Sequence, residues 1–114
     1  MAITYFQDTI FQTDSALSAI GVGTALQVAV NNTFNTKDYT LLATVATINT
    51  NVKVSLEGSI DGTNYGDIIT EKTITSNGTS IYNVANTPVR WIRPRFISEN
   101  GGTDATVVFS VAAS

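Results

Sequence analysis

The stretch from Val52 to Val111 constrains this chain more than any other. It reads VKVSLEGSIDGTNYGDI, then ITSNGTSIYNV, then TPVRWIRPRFISENGGTDATVVFSV. Apolar and polar residues alternate between the pairs Asp61-Gly62, Asn77-Gly78 and Gly101-Gly102. A period of two marks strands with one buried face. Asn-Gly or Asp-Gly between such runs favours the tight turns of β-hairpins. The stretch therefore predicts a train of hairpins, and with it an all-β fold.

The rest of the chain extends the pattern. In 24–34, Leu26, Val28 and Val30 alternate with smaller or polar residues, which predicts a strand. Residues 39–48 (YTLLATVATI) are apolar or Thr throughout, as in a central strand covered on both faces. In 52–60, Val52, Val54, Leu56 and Ile60 fall on one side, and Lys53, Ser55, Glu57 and Ser59 on the other. Further strands are predicted at 67–75, 79–84, 88–97 and 105–112. Pro94 inside a strand calls for an edge or a bulge, because it has no N–H to give to a ladder. Residues 13–23 read as a loop or short edge strand, since Gly21 and Gly23 leave little room for a helix. The total is about eight antiparallel strands in a single β-sandwich spanning 1–114, with jelly-roll or Greek-key connections. The N-terminal residues 1–22 are either an edge strand of that sandwich or an extended arm. Ile3, Tyr5, Phe6, Ile10 and Phe11 make them strongly apolar, so an arm could add to a neighbour's sheet.

Composition removes several functions. The 114 residues carry a net charge of −3, opposite to the basic footprint that phosphate binding needs. No nucleic-acid partner is expected, and no anionic membrane partner. No apolar run reaches the length of a membrane-spanning helix. The chain has no Cys and no His, so thiolate chemistry and the usual zinc ligands are missing. With no histidine base, no nucleophile elbow and no phosphate-cradling loop, no catalytic residue, cofactor or metal is expected. The acidic turn Asp61-Gly62-Thr63-Asn64-Tyr65-Gly66-Asp67 offers oxygens that suit a hard cation. It lacks the EF-hand spacing, and the simpler reading is a turn shaped by Asp61 and Asn64.

One surface stands out. Arg90, Arg93 and Arg95 form the basic cluster of the chain. On a strand, Trp91, Arg93 and Arg95 share the outward face, and Arg90, Ile92, Pro94 and Phe96 the inward one. An aromatic beside two guanidinium groups is the composition of an interface hot spot. The same group could instead be a solvated face, its arginines paired with Glu57, Glu71 or Glu99. Candidate interface residues are therefore Trp91, Arg93 and Arg95, with Tyr5 and Phe6 of the N-terminal segment.

The runs Val54–Tyr65, Asn77-Gly78-Thr79, Pro88–Arg93 and Gly101–Thr106 resemble small β-sandwich structural proteins of tailed bacteriophages, over about the last two-thirds of the chain. The resemblance implies a virion protein made in the host cytoplasm: a capsid decoration (cement) protein, a head fibre or a tail component. For a decoration protein it implies a homotrimer that binds the major capsid protein on the outside of the shell and stabilises it. A variant of the same turn, with Trp in place of Tyr65, occurs in discoidin-like carbohydrate-binding modules. This gives the alternative of a glycan-binding or host-adhesion module stacking sugars on Trp91 and Tyr65.

Overall fold

The computed structural model describes residues 17–29 and 36–114, and the backbone of 10–13. Nine strands run through them: β1 Ile10–Thr13, β2 Gly21–Val22, β3 Leu26–Gln27, β4 Tyr39–Ala46, β5 Asn51–Ser59, β6 Gly66–Ile74, β7 Gly78–Val84, β8 Trp91–Asn100 and β9 Thr106–Ala113. They form two antiparallel sheets. The first has the order β1-β9-β4-β7; the second has β2-β8-β5-β6, with β3 also pairing β8. The all-β sandwich is the expected class. Its topology now follows from the pairings. Counting β2 and β3 as one interrupted strand, first pairs with last, second with second-last, and so inward to β5 with β6. A long antiparallel ribbon rolled up on itself in this way is a jelly roll.

That topology corrects the hairpin train. Asp61-Gly62 does join two paired strands, β5 and β6. Asn77-Gly78 and Gly101-Gly102 do not. β6 and β7 lie in different sheets, as do β8 and β9. Asn77 and Gly101 are instead drawn to the corner between β4 and β5. The Asn77 side-chain oxygen accepts the Ile48 N–H at 2.9 Å, and Thr50 N–H donates to the Asn100 carbonyl at 3.1 Å. Three sheet-to-sheet crossings are thus tied together at one end of the sandwich. At Gly101 the backbone has φ +86°, and a Cβ there would collide with Thr50, so this corner requires glycine.

The core follows from the alternation. Tyr39, Leu41, Ala43 and Val45 of β4 and Val107, Phe109 and Val111 of β9 face Val52, Val54 and Leu56 of β5 and Ile92 and Phe96 of β8, all buried. The Tyr39 hydroxyl is buried but satisfied. It receives the Val89 N–H at 3.1 Å and donates to the Thr36 carbonyl at 3.1 Å.

Two predicted runs depart from the expected alternation. Ile60 lies beyond the end of β5 and is 63% exposed, because the chain has already entered the Asp61 turn. In the 24–34 run, β3 covers Leu26–Gln27, after which Val28 and Ala29 are both buried and the alternation is lost; residues 30–34 lie outside the described residues. Pro94 sits where the outer edge of β8 is open. β2 pairs with Arg95 and Phe96, β3 with Trp91 and Ile92, and Gly23 N–H reaches the Pro94 carbonyl between them. A residue without an N–H fits the break between two short edge strands.

The rolled topology also sorts charge. The strands of the first sheet (IFQT, YTLLATVA, GTSIYNV and TVVFSVAA) contain no charged residue. The charged strand residues are Lys53 and Glu57 on β5, Asp67, Glu71 and Lys72 on β6, and Arg93, Arg95 and Glu99 on β8.

Candidate functional site: the outer face of the second sheet

β5 and β8 are adjacent, and their register sets Glu57 opposite Arg93, Ser55 opposite Arg95 and Ser59 opposite Trp91. Side chains on the outer face of these strands therefore meet in cross-strand pairs. Glu57 is the hub. Its Oε1 accepts Arg93 Nε at 2.7 Å, and Oε2 lies 3.7 Å from Arg95 Nη1. The Glu57 side chain keeps 9% of its surface, against 28% for Arg93 and 43% for Arg95. One carboxylate thus anchors two guanidinium groups from below, and the arginines roof it.

The aromatic rings complete the platform. The Arg93 guanidinium stacks on Tyr65, its Cζ 3.8 Å from the ring centroid, a cation–π contact on top of the ion pair. Trp91 lies against the Asp61-Gly62 turn: a Cβ at Gly62 would be 3.3 Å from its ring. With φ +79° as well, Gly62 is the residue this contact and this turn both need. Beneath the platform, Ser55 and Ser59 are buried. Ser55 Oγ donates to Asp67 at 3.0 Å, and Ser59 Oγ donates to Asp61 at 3.0 Å.

Of the residues expected on this face, Trp91, Arg93 and Arg95 do lie together. All three are half-buried, however, and Arg95 is more open than Arg93. Arg90 is corrected. It precedes β8 rather than joining its inward face, and its guanidinium Cζ sits 5.0 Å from the centroid of the Trp91 ring. Among the three candidate partners, Glu57 takes both arginines, Glu71 pairs with Lys53 at 3.4 Å, and Glu99 accepts the Ala105 N–H at 2.7 Å. Tyr5 and Phe6 lie outside the described residues. Sequence reading placed Glu57 on a solvated face. Its burial comes from a neighbour far away in sequence, Arg93. For sugar stacking, the Tyr65 ring is already met by Arg93, and the Trp91 ring by both the turn and Arg90.

The acidic turn is held by its own donors. Asp61 Oδ1 accepts the N–H groups of Thr63 and Asn64, both at 2.8 Å, and Oδ2 accepts Asn64 Nδ2 at 2.8 Å. These bonds, those from Asn64 and Thr63 first, hold the Asp61 carboxyl well below the usual range. The sign follows. A depressed folded value contributes stability above the unfolded value of about 3.9 and loses it as pH falls further. Asp61→Asn should therefore lower the urea midpoint more at about pH 6 than at about pH 2.5, where the contribution is already partly lost. A deficit of equal size at both pH values would show that the charge is irrelevant. Among the described residues no group of three or more acidic, His or Cys side chains could hold a metal.

No protein-family model matches the sequence, and no curated protein is a significant match to it. Solved structures match by fold. The SPBc2 prophage-derived protein YomS superposes with a TM-score of 0.59 at 9% identity, over 94% of each chain. A family 29 carbohydrate-binding module mutant matches at 0.48 and 14% identity, over 82% of this chain and 62% of that one. Tobacco streak virus coat protein matches at 0.40 and 12% identity, over 94% and 86%. Of these three, YomS alone exceeds 0.5, and at 9% identity the likeness is one of fold.

Proposed function

We propose that the chain is a virion structural protein of a tailed bacteriophage. In this reading it is a capsid decoration protein that binds the major capsid protein on the outside of the shell and self-associates as a trimer. The observation that carries the reading is the Glu57-anchored platform of Trp91, Arg93 and Arg95. Its aromatic and guanidinium groups are fixed in place before any partner arrives, which lowers the entropy lost on docking. The resemblance of the turn motifs to phage structural proteins agrees with it, as does a fold shared with a prophage-derived protein. A protein that binds only the assembled lattice stabilises it by mass action. An oligomer that engages several identical sites gains through effective concentration, so each contact can be modest.

The test is co-sedimentation of the purified chain with phage capsids that lack it, followed by thermal disassembly. Binding and a raised disassembly temperature are expected. The double change Trp91→Ala with Arg95→Ala should weaken binding by about 30-fold or more, as for a hot spot of about 2 kcal/mol. Absence of binding, or unchanged affinity in a folded double variant, would overturn the reading.

A further inference from the structure

The opposite side of the sandwich presents a different surface. On the outer face of the first sheet, Ile81 is 64% exposed and lies in register beside Leu42, which in turn neighbours Ser110. One row along, Thr79 pairs with Thr44 and Thr44 with Val108. The hydroxyls of Thr44 and Thr79 bond to each other at 3.0 Å, so part of the face's polarity is already satisfied without water. No strand of this sheet contributes a charge.

We propose that this face, centred on Leu42, Ile81 and Val108, is where a second copy of the chain docks, turned toward the symmetry axis of the oligomer. The inference rests on the self-association in the reading above and names the surface that performs it. Charge distribution selects the occupant. The chain is net negative, so two copies repel except where charge is missing, and the charges of the strands all lie in the other sheet. In a closed oligomer, copies of one face are brought together around the axis, and here that face carries Leu42, Ile81, Val108, Thr44, Thr79 and Ser110. Strands of 4, 8, 8 and 7 residues, spaced by about 4.8 Å, make a face of about 430 Å². Even two such faces fully apposed bury about 850 Å², below the roughly 1,000 Å² of a stable specific interface, so the association is a weak one. Association of this size should depend on concentration and fail when one charge is introduced.

Sedimentation velocity over about a hundredfold range of concentration tests it. The wild-type chain should shift from monomer to oligomer across the range. Ile81→Arg and, separately, Thr44→Lys should weaken association at least about tenfold, because like charges then meet at the axis. Both positions are exposed, so an unchanged urea midpoint at low concentration will show that the fold survives. Arg95→Ala, on the far face, should associate as wild type does. A wild-type chain that is monomeric throughout, or an Ile81→Arg variant that associates normally, overturns the inference. If that variant associates normally and still binds capsids, the docking face is wrong and the capsid reading stands. If the wild type associates through this face but ignores capsids, the face stands and the capsid reading falls.

Discussion

Phe109→Ala should cost about 3–5 kcal/mol, the range for truncating a buried aromatic. Phe109 is fully buried on β9, and β9 lies between β1 and β4 in the first sheet. Its neighbours belong to strands fixed by hydrogen bonds on both sides, so they can close little of the cavity. A domain of this size has about 5–15 kcal/mol in total, so the variant should be largely unfolded at mild denaturant. A urea titration of wild type and variant measures the loss, with unchanged slope if the folded state keeps its compactness. A loss below about 1 kcal/mol would mean that the sandwich repacks, contrary to the rigid register of β4 and β9.

Arg93→Ala should destabilise the chain by about 2–3 kcal/mol before any partner is considered. Removing it takes away the 2.7 Å bond to Glu57 and the cover over Tyr65, and leaves an almost buried carboxylate with Arg95 alone at 3.7 Å. Breaking a fully buried pair costs about 3–5 kcal/mol; the remaining guanidinium and the partial exposure of Arg93 reduce that. Arg95→Ala should cost under about 1 kcal/mol, since its partner keeps the shorter bond and it is itself the more open of the two. Urea midpoints for the two variants provide the comparison. Equal losses would show that Glu57 does not distinguish them. The practical meaning concerns the platform: an Arg93 substitution reports on the sheet as much as on binding, whereas Arg95 reports on binding.

What the sequence revealed divides along local and long-range physics. The strands at 39–46, 66–74, 78–84 and 106–113 were legible because alternation and turn residues act over a few positions. Asp61-Gly62 was legible as a hairpin for the same reason. Asn77-Gly78 carries an equally strong local signal and yet spans the two sheets, because the Asn77 side chain finds Ile48, almost thirty positions earlier in the chain. The grouping of Trp91, Arg93 and Arg95 could be read from β8 alone. That Glu57 would be buried among them, or that Trp91 would lean on Gly62, depended on which strand lies beside β8. The charge-free sheet was present in the sequence as four separate uncharged runs. Only the pairing of first strand with last brings those runs onto one surface.

The rolled ribbon also sets a timetable. β8 and β9, synthesised after the other seven strands, are interior strands of the two sheets, and among the described residues β1 pairs with β9 alone. Neither layer can close over the apolar β4 until β9 has been made, so assembly waits for that strand. Topologies dominated by such distant pairings fold in about milliseconds to seconds. During that interval an uncharged, strand-forming segment stands open to its neighbours. The sheet proposed for self-association in the finished molecule is thus also the one most in need of prompt burial while the molecule is new.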